Sequence, residues 1–303
     1  MKTLKSIYTN VGIGQLCMLF GKTRHAYYDK SWFEDVRLEA SAIVLELVAE
    51  IRREIPGIGT DKLYHMIKKP IKTHGIKMGR DALHGLLVDY GLTVKRKKRY
   101  VVTTNSRHWM KKYPNLIKEL IVTESEYLWV SDITYIIIGD DFNYLSLITD
   151  VYSKQIMGHC LHPTLAAEGC LIALRMALPK RTKVGSRLIH HSDRGGQYCC
   201  DEYVKLLNGA YAEISMTQNG DPYENAVAER VNGILKGDFE LGQGFKCRED
   251  ALIAIDRKVK AYNELRPHSS CDYLTPIEAH RMSGVLAKRW KPKKYFKREE
   301  PAI

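Results

Sequence analysis

"YLWVSDITYIIIGDDFNYLSLITDVYSKQIMGHCLH", residues 127 to 162, decides the fold. Three runs rich in Ile, Leu, Val, Tyr and Phe are separated by "GDD" and by "SK". β-branched and aromatic side chains suit a pleated surface, and breaks this short allow only a hairpin return. The expectation is a three-stranded antiparallel meander. Downstream the pattern alternates: a helix in "LAAEGCLIALRMAL" (165–178), a strand in "SRLIHHS" (186–192), a helix in "CDEYVKLLNGA" (200–210) and a strand in "AEISM" (212–216). Two more helices are expected over about 223–238 and 250–264. A meander followed by strand–helix alternation implies an α/β protein, with a mixed five-stranded sheet covered by helices on both faces.

Upstream of residue 103 the pattern is helical. "GIGQLCMLFGKTRHAYY" (12–28) reads as two helices about a Gly21-Lys22 turn, and residues 41–55 as an amphipathic helix closed by Pro56. Ile43, Leu47 and Ile51 of that helix recur at helical spacing. "GTDKLYHMIKK" (59–69) and "GRDALHGLLVDYGL" (79–92) follow, the first with Thr60 as N-cap and the second stopped by Gly91. Helices on either side of Gly75 suit a helix-turn-helix whose second helix enters a major groove. Any small helical bundle would show the same pair; the run "KRKKR" (95–99) directly after it favours DNA. Thr103 to Tyr127 reads as a polar linker containing a short helix. The expected organisation is a helical DNA-binding region over 1–105, a linker over 106–123, a catalytic domain over 124–285 and a basic tail over 286–303.

A length of 303 residues fits about two domains. Hydrophobic residues at 45% and charged residues at 27% supply an ordinary soluble core, and no apolar run is long enough for a membrane span. The basic N-terminus lacks an apolar stretch and a small-residue cleavage site, so it reads as folded protein and not as a signal peptide. Seven scattered cysteines, none spaced C-x-x-C, fit free thiols in a reducing cytoplasm and do not suggest a zinc module. The net charge of +12 is clustered. Residues 67–112 hold 13 Lys or Arg against Asp81 and Asp89, and "AKRWKPKKYFKREE" near the C-terminus carries seven more among Trp290, Tyr295 and Phe296. One such run is usually a solvated face. Two, one of them beside a helix-turn-helix, point to a nucleic acid partner.

Three carboxylates carry the chemical signal. Asp132 sits inside the apolar run "WVSDITYI", where an unpaired charge is costly unless it is hydrogen-bonded or holds a metal. Asp193, in "LIHHSDRGGQY" (188–198), ends the fourth strand, at the carboxyl edge where open α/β sheets place ligands. It could equally be a turn former. Glu229 lies in "PYENAVAERVNGILKGDF", with Asn225, Glu229 and Lys236 on one helical stripe. An exposed helix Glu is ordinary, and a single Asp is more often a capping group than a ligand. Taken as a set, three hard oxygen donors without Cys or His favour Mg²⁺ or Mn²⁺ over zinc. Two such ions could activate an attacking oxygen and stabilise a leaving oxygen of a phosphodiester.

Asp132 and Asp193 are separated by 60 residues and Asp193 and Glu229 by 35. That spacing, with "WVSDITYI", "HHSDRGGQY" and "ENAVAERVNGILK", resembles the DDE transposase and retroviral-integrase superfamily. Within it the chain is similar to the OrfB transposases of the IS-three group of bacterial insertion sequences. "IPGIGTDKLYHMI" (55–67) resembles that family's helix-turn-helix segment, and "AYNELRPHSSCDYLTPIEA" (261–279) its C-terminal motif. The resemblance implies an RNase H-like catalytic core with Asp132, Asp193 and Glu229 as catalytic metal ligands for Mg²⁺ or Mn²⁺, two ions in all. It implies a family basic residue at Lys236; the helical stripe adds Asn225, and the charge clustering adds Lys95, Arg96, Lys97, Lys98 and Arg99, as expected DNA contacts. Glu224 departs from the family, where Asp commonly precedes the Asn. The implied reaction frees a 3′-hydroxyl at the element end by hydrolysis and then uses it to attack another phosphodiester, without a covalent protein intermediate. The implied partners are the terminal inverted repeats, target DNA, an upstream-frame OrfA protein and further copies of the chain on DNA, in a bacterial cytoplasm near the nucleoid. The family also makes a second, fused product by frameshifting, and whether the active form here is such a fusion stays open. Two rival readings stay open at this point: a domesticated DNA-binding regulator, and an RNase H-like structure-specific nuclease.

Overall fold

The computed structural model describes residues 2–94, 109–218 and 225–290. The basic run 95–99, Glu224 and the residues after Trp290 lie outside them. The chain divides into two compact units, Met1–Ile51 with Leu63–Thr93, and Arg52–Lys62 with Val94–Ile303.

The first unit is helical. It draws on α1 (Lys2–Ile7), α2 (Ile13–Leu19), α3 (Arg24–Glu54), α4 (Thr60–Thr73) and α5 (Arg80–Asp89). α2 stops where Gly21 turns left-handed, as expected. The two helices expected over 24–28 and 41–55 are in fact one, α3, of 31 residues. Nothing between Arg24 and Glu54 breaks a helix, because neither Gly nor Pro occurs there, and Thr23 Oγ1 accepts the Ala26 N–H at its start. Its fully buried apolar positions are Val44 and Val48, with Ile43, Leu47 and Ile51 flanking them half-buried. Gly75, at φ +70°, ends α4, and the Ile76 N–H reaches back to the Ile71 carbonyl at 3.0 Å.

The second unit holds the sheet. Its strands are β1 (Leu128–Ile138), β2 (Asp141–Asp150), β3 (Ile156–His162), β4 (Leu188–Ser192) and β5 (Ala212–Met216), in the spatial order β3-β2-β1-β4-β5. β1, β2 and β3 form the expected antiparallel meander, and β4 and β5 join parallel to β1. α6 (Ala167–Ala177), the short α7 (Gly196–Cys199) and α8 (Asp201–Gly209) bury Leu171, Leu174, Tyr203 and Leu207 with Trp129, Ile148 and Ile214. α9 (Ala226–Gly237) packs against β1 and β2, and α10 (Arg248–Leu265) against β3 and α9. The chain ends its regular structure in α11 (Pro276–His280), opened by a capping box between Thr275 and Glu278.

The linker departs from expectation, since among described residues 109–127 there is no helix. Pro114 and Leu116 instead run beside β5: the Met216 N–H donates to the Pro114 carbonyl (3.2 Å), and the Leu116 N–H to Ser215 Oγ (2.9 Å). A sheet edge with unpaired backbone groups recruits such a segment more strongly than local helix preference holds it.

A buried polar brace ties the C-terminal motif to the sheet. Asp150 accepts the N–H groups of Glu126 (2.6 Å) and Ser153 (2.8 Å), and Ser153 Oγ bonds His280 Nδ1 (2.9 Å). Glu126, at φ +64°, accepts the N–H groups of Thr182 and Lys183. Burial opposes its charge, yet these bonds together hold its carboxyl below the usual range.

The tightest approach is β3 against α6. A Cβ on Gly158 would stand 2.0 Å from the Ala173 carbonyl oxygen. Gly158→Ala should therefore cost about 3 kcal/mol or more, since helix or strand must shift bodily. Urea denaturation should show a lower midpoint or an insoluble product; a midpoint equal to wild type would refute the close packing.

Candidate active site

β1 and β4 run parallel, pairing Leu128 with Ile189, Trp129 with His190 and Val130 with His191. Two residues further on, the same offset sets Asp132 level with Asp193. Asp132 is part-buried within β1 and Asp193 lies just past the last residue of β4. Asp193 forms a turn and stands beside Asp132. Its Oδ1 accepts the Gly195 N–H at 2.9 Å, closing an Asx turn, and its charge acts on Asp132. A Cβ on Gly195 would come within 2.7 Å of Gln197 Oε1 and 3.0 Å of Asp193 Oδ1, so a larger residue would push on both side chains.

The Asp132 carboxyl is pushed up to about 7. Burial is the main cause and Asp193 the second, with a smaller push from Glu229; the Ile133 N–H and the Asn232 side chain pull the other way. Asn232 Nδ2 donates to Asp132 Oδ2 at 2.7 Å. The sequence reading missed this residue, although it falls between Glu229 and Lys236 on the same stripe of α9. Asn225 is buried at the start of α9 and donates from Nδ2 to the Ser131 carbonyl at 3.2 Å. Glu229 is exposed on the first turn of α9. Lys236 is half-buried; burial pulls its ammonium down while Asp132 favours the charge. Among the described residues no group of three His, Cys, Asp or Glu lies close enough to hold a metal. Asp132 and Asp193 form a coupled pair, and Glu229 stands further out.

Beneath the site, His190 Nε2 is shared by the hydroxyls of Ser131 (2.7 Å) and Tyr203 (3.0 Å). Burial, with His191 beside it, depresses its pKa to about 3, so the ring is neutral and serves as packing. His191 is also buried, and its Nδ1 bonds Ser215 Oγ at 2.8 Å. All seven cysteines are free thiols. No helix among the described residues is long and apolar enough to cross a membrane.

A mixed sheet in this order, with a mid-strand Asp and a second Asp at the end of the adjacent parallel strand, defines an RNase H-like core. Two family models, both described as "Integrase core domain", match residues 122–222 and 211–276. The chain is 33% identical over 267 residues to "Insertion element IS600 uncharacterized 31 kDa protein" of Shigella sonnei, covering 86% of this chain and 96% of the relative. It is 28% identical to "Transposase for insertion sequence element IS629" of the same species, covering 93% and 95%. It is 30% identical to "Transposase InsF for insertion sequence IS3A" of Escherichia coli (strain K12), covering 61% and 65%. The chain belongs to the insertion-sequence transposases with an integrase-type core, enzymes of the polynucleotidyl-transferase class.

Asp132 binds its proton more tightly when folded than the usual carboxylate range near 4 allows unfolded. The contribution of Asp132 to stability should therefore fall as pH rises from about 4 to 7, a loss that Asp132→Asn should not share. Without divalent cations the variant should gain about 2–4 kcal/mol over wild type above pH 7, shrinking toward zero near pH 4. Thermal melts at pH 4.5 and 8 read the difference; a gap that does not grow with pH would contradict the buried charge.

Proposed function

We propose that Asp132, Asp193 and Glu229 hold divalent magnesium or manganese and that the protein cuts and joins DNA strands at the ends of an insertion sequence. The observation that carries the reading is the Asp132–Asp193 pair, a carboxyl raised by burial and then by a like charge at the edge of an integrase-type sheet. The donor set fits a hard cation: oxygen ligands only, and a carboxyl whose charge is disfavoured until a positive charge neutralises it. When bound, a pair of such ions would activate an attacking oxygen and stabilise a leaving oxygen in the displacement.

The chain's own groups orient this chemistry. Asn232 holds one oxygen of Asp132, and the Asx turn sets the direction of Asp193. Glu229 enters from α9, on the stripe that also carries Asn225 and Lys236. In the first step water breaks a phosphodiester at the element end, leaving a free 3′-hydroxyl. In the second that 3′-oxygen forms a new bond to another phosphorus and displaces that strand's own 3′-oxygen, with no net change in bond number. Lys236, drawn toward Asp132, meets a phosphate of the incoming strand. Two element ends each need a carboxylate site, so the reading extends to several copies of the chain on terminal repeats and target DNA, with an upstream-frame OrfA protein as partner.

Asp132→Ala, Asp193→Ala and Glu229→Ala should each reduce strand cleavage and joining at least 100-fold on labelled end-containing DNA, while binding changes less than about threefold. Substantial joining by any one variant would remove that residue from the set. Lys236→Ala should weaken end binding and joining together, and Lys236→Arg should retain part of both.

We place most DNA affinity in residues 1–112, whose densest basic run is 95–99. Ile55 and Ile58 are buried in the second unit and the Gly57 N–H bonds the Asp238 carbonyl at 2.8 Å, so the test changes charges and leaves the chain whole. Replacing Lys95, Arg96, Lys97, Lys98 and Arg99 by Ala should flatten the slope of log affinity against log salt by about 3–5. An unchanged slope would place the contacts elsewhere.

A further inference from the structure

α9 has a second lined face. Beside the stripe of Asn225, Glu229, Asn232 and Lys236, its residues Val227, Arg230, Val231 and Ile234 border a separate cavity of about 510 Å³. Lys62, Lys154, Arg266 and Lys288 complete a ring of five cations with Arg230, and Trp290 stands at the rim. No Asp or Glu lines this cavity among the described residues, and Asp132, Asp193 and Glu229 are not part of it.

The cations differ in their commitments. Arg266, 1% exposed, is held by Asp238 Oδ2 at 2.7 and 2.9 Å and braces His268 Nε2 at 3.2 Å. Lys154 donates to the Val151 carbonyl. Of the five, only Arg266 makes an ion pair among the described residues. Like charges gathered in a partly desolvated space repel, and burial pushes the ammonium groups of Lys62 and Lys154 below their usual range. An anion entering the cavity removes that repulsion.

The rest of the wall indicates what kind of anion. Val227, Val231 and Ile234 give an apolar floor. The indole of Trp290 is half-exposed, with the Lys288 ammonium 5.9 Å from its ring centre. A volume of this order holds a small-molecule-sized group and not a bare phosphate alone. Exposed aromatic rings beside lysine and arginine are how proteins grip nucleotides of a strand: phosphate by charge, base by stacking. The C-terminal motif, which the carboxylate site does not use, builds much of this wall. Asn263 pairs both ways with the Ile156 backbone (2.9 and 3.0 Å), and the Tyr262 hydroxyl donates to the Lys154 carbonyl (2.9 Å), fixing α10 and with it Arg266 and His268.

We propose that this cavity binds one nucleotide of a DNA strand, its phosphate among Lys62, Arg230 and Lys288 and its base against Trp290, at a site distinct from the Asp132–Asp193 pair. The choice of DNA rests on the transposase reading; the demand for a phosphorylated ligand with a flat ring rests on the lining alone.

Trp32 and Trp109 are also exposed, so the cavity is read from the part of the full chain's tryptophan emission, without divalent cations, that Trp290→Phe removes. Titration with a single-stranded oligonucleotide should quench it, and Trp290→Phe should remove that quench. Arg230→Gln with Lys288→Gln, both at exposed positions, should raise the half-quenching concentration at least tenfold, and Arg230→Lys should retain most of the affinity. Inorganic phosphate should give no comparable quench. Equal response to phosphate and oligonucleotide would make this a small-anion site, and wild-type titration by the double variant would overturn the proposal outright. Failure of the carboxylate reading would look different: Asp193→Ala would still join strands while this titration stayed unchanged.

Discussion

The parallel seating of β4 beside β1 is the constraint on which the site depends. Three residue pairs, Leu128–Ile189, Trp129–His190 and Val130–His191, carry the chain out through α6 and back into the sheet. That crossover is what a parallel neighbour requires, since a hairpin can only return antiparallel. It places Asp193 level with Asp132. A one-residue slip of β4 would carry His190 out of reach of Ser131 and Tyr203 and Asp193 out of step with Asp132. The glycines at Gly158 and Gly195 serve the same registration, one by letting α6 lie against β3, the other by letting the chain turn beneath Asp193.

Holding two carboxylates at one sheet edge is unfavourable for the fold taken alone. Asp132 is raised by burial and by its neighbour, and the Ile133 N–H and the Asn232 amide offset this only in part. The contrast with Glu126 is instructive. That carboxyl is more deeply enclosed but is supplied with N–H donors from Thr182 and Lys183 and stays charged. The same side-chain chemistry stays charged where donors outweigh burial and holds its proton where they do not.

The C-terminal motif has a comparable division of labour. His280 and Ser153 lock it to Asp150, and Asn263 and Tyr262 lock α10 to the backbone near β3. With those anchors made, Arg266, His268 and Lys288 are left to line the cation-ringed cavity on the flank of α9. One helix thus presents its carboxylate and amide stripe to the sheet edge and its valine–arginine face to a basic cavity.

The amino-acid sequence by itself determined the order of elements, the antiparallel meander, the mixed sheet with helices on two faces and the stripe of Asn225, Glu229 and Lys236. These follow from local periodicity and turn residues, which act over a few positions and need no knowledge of distant partners. It also led to the 31-residue α3 being read as two helices, because exposed residues between Tyr28 and Glu39 blurred the apolar stripe although nothing there breaks a helix. Local preference suggests a short helix within Thr103 to Tyr127, whereas the described part, 109–127, has none and pairs with the edge of β5, almost a hundred residues away. Only the tertiary structure decided that Asn232 holds Asp132, that Asp193 is at once a turn former and a neighbour of Asp132, and that Glu229 stands outside the pair. It also gathered Lys62, Arg230, Arg266 and Lys288, spread over more than two hundred residues, around one cavity. Electrostatic coupling and burial are properties of distance in space, and distance in space is set by strand register and helix packing, which no local pattern encodes.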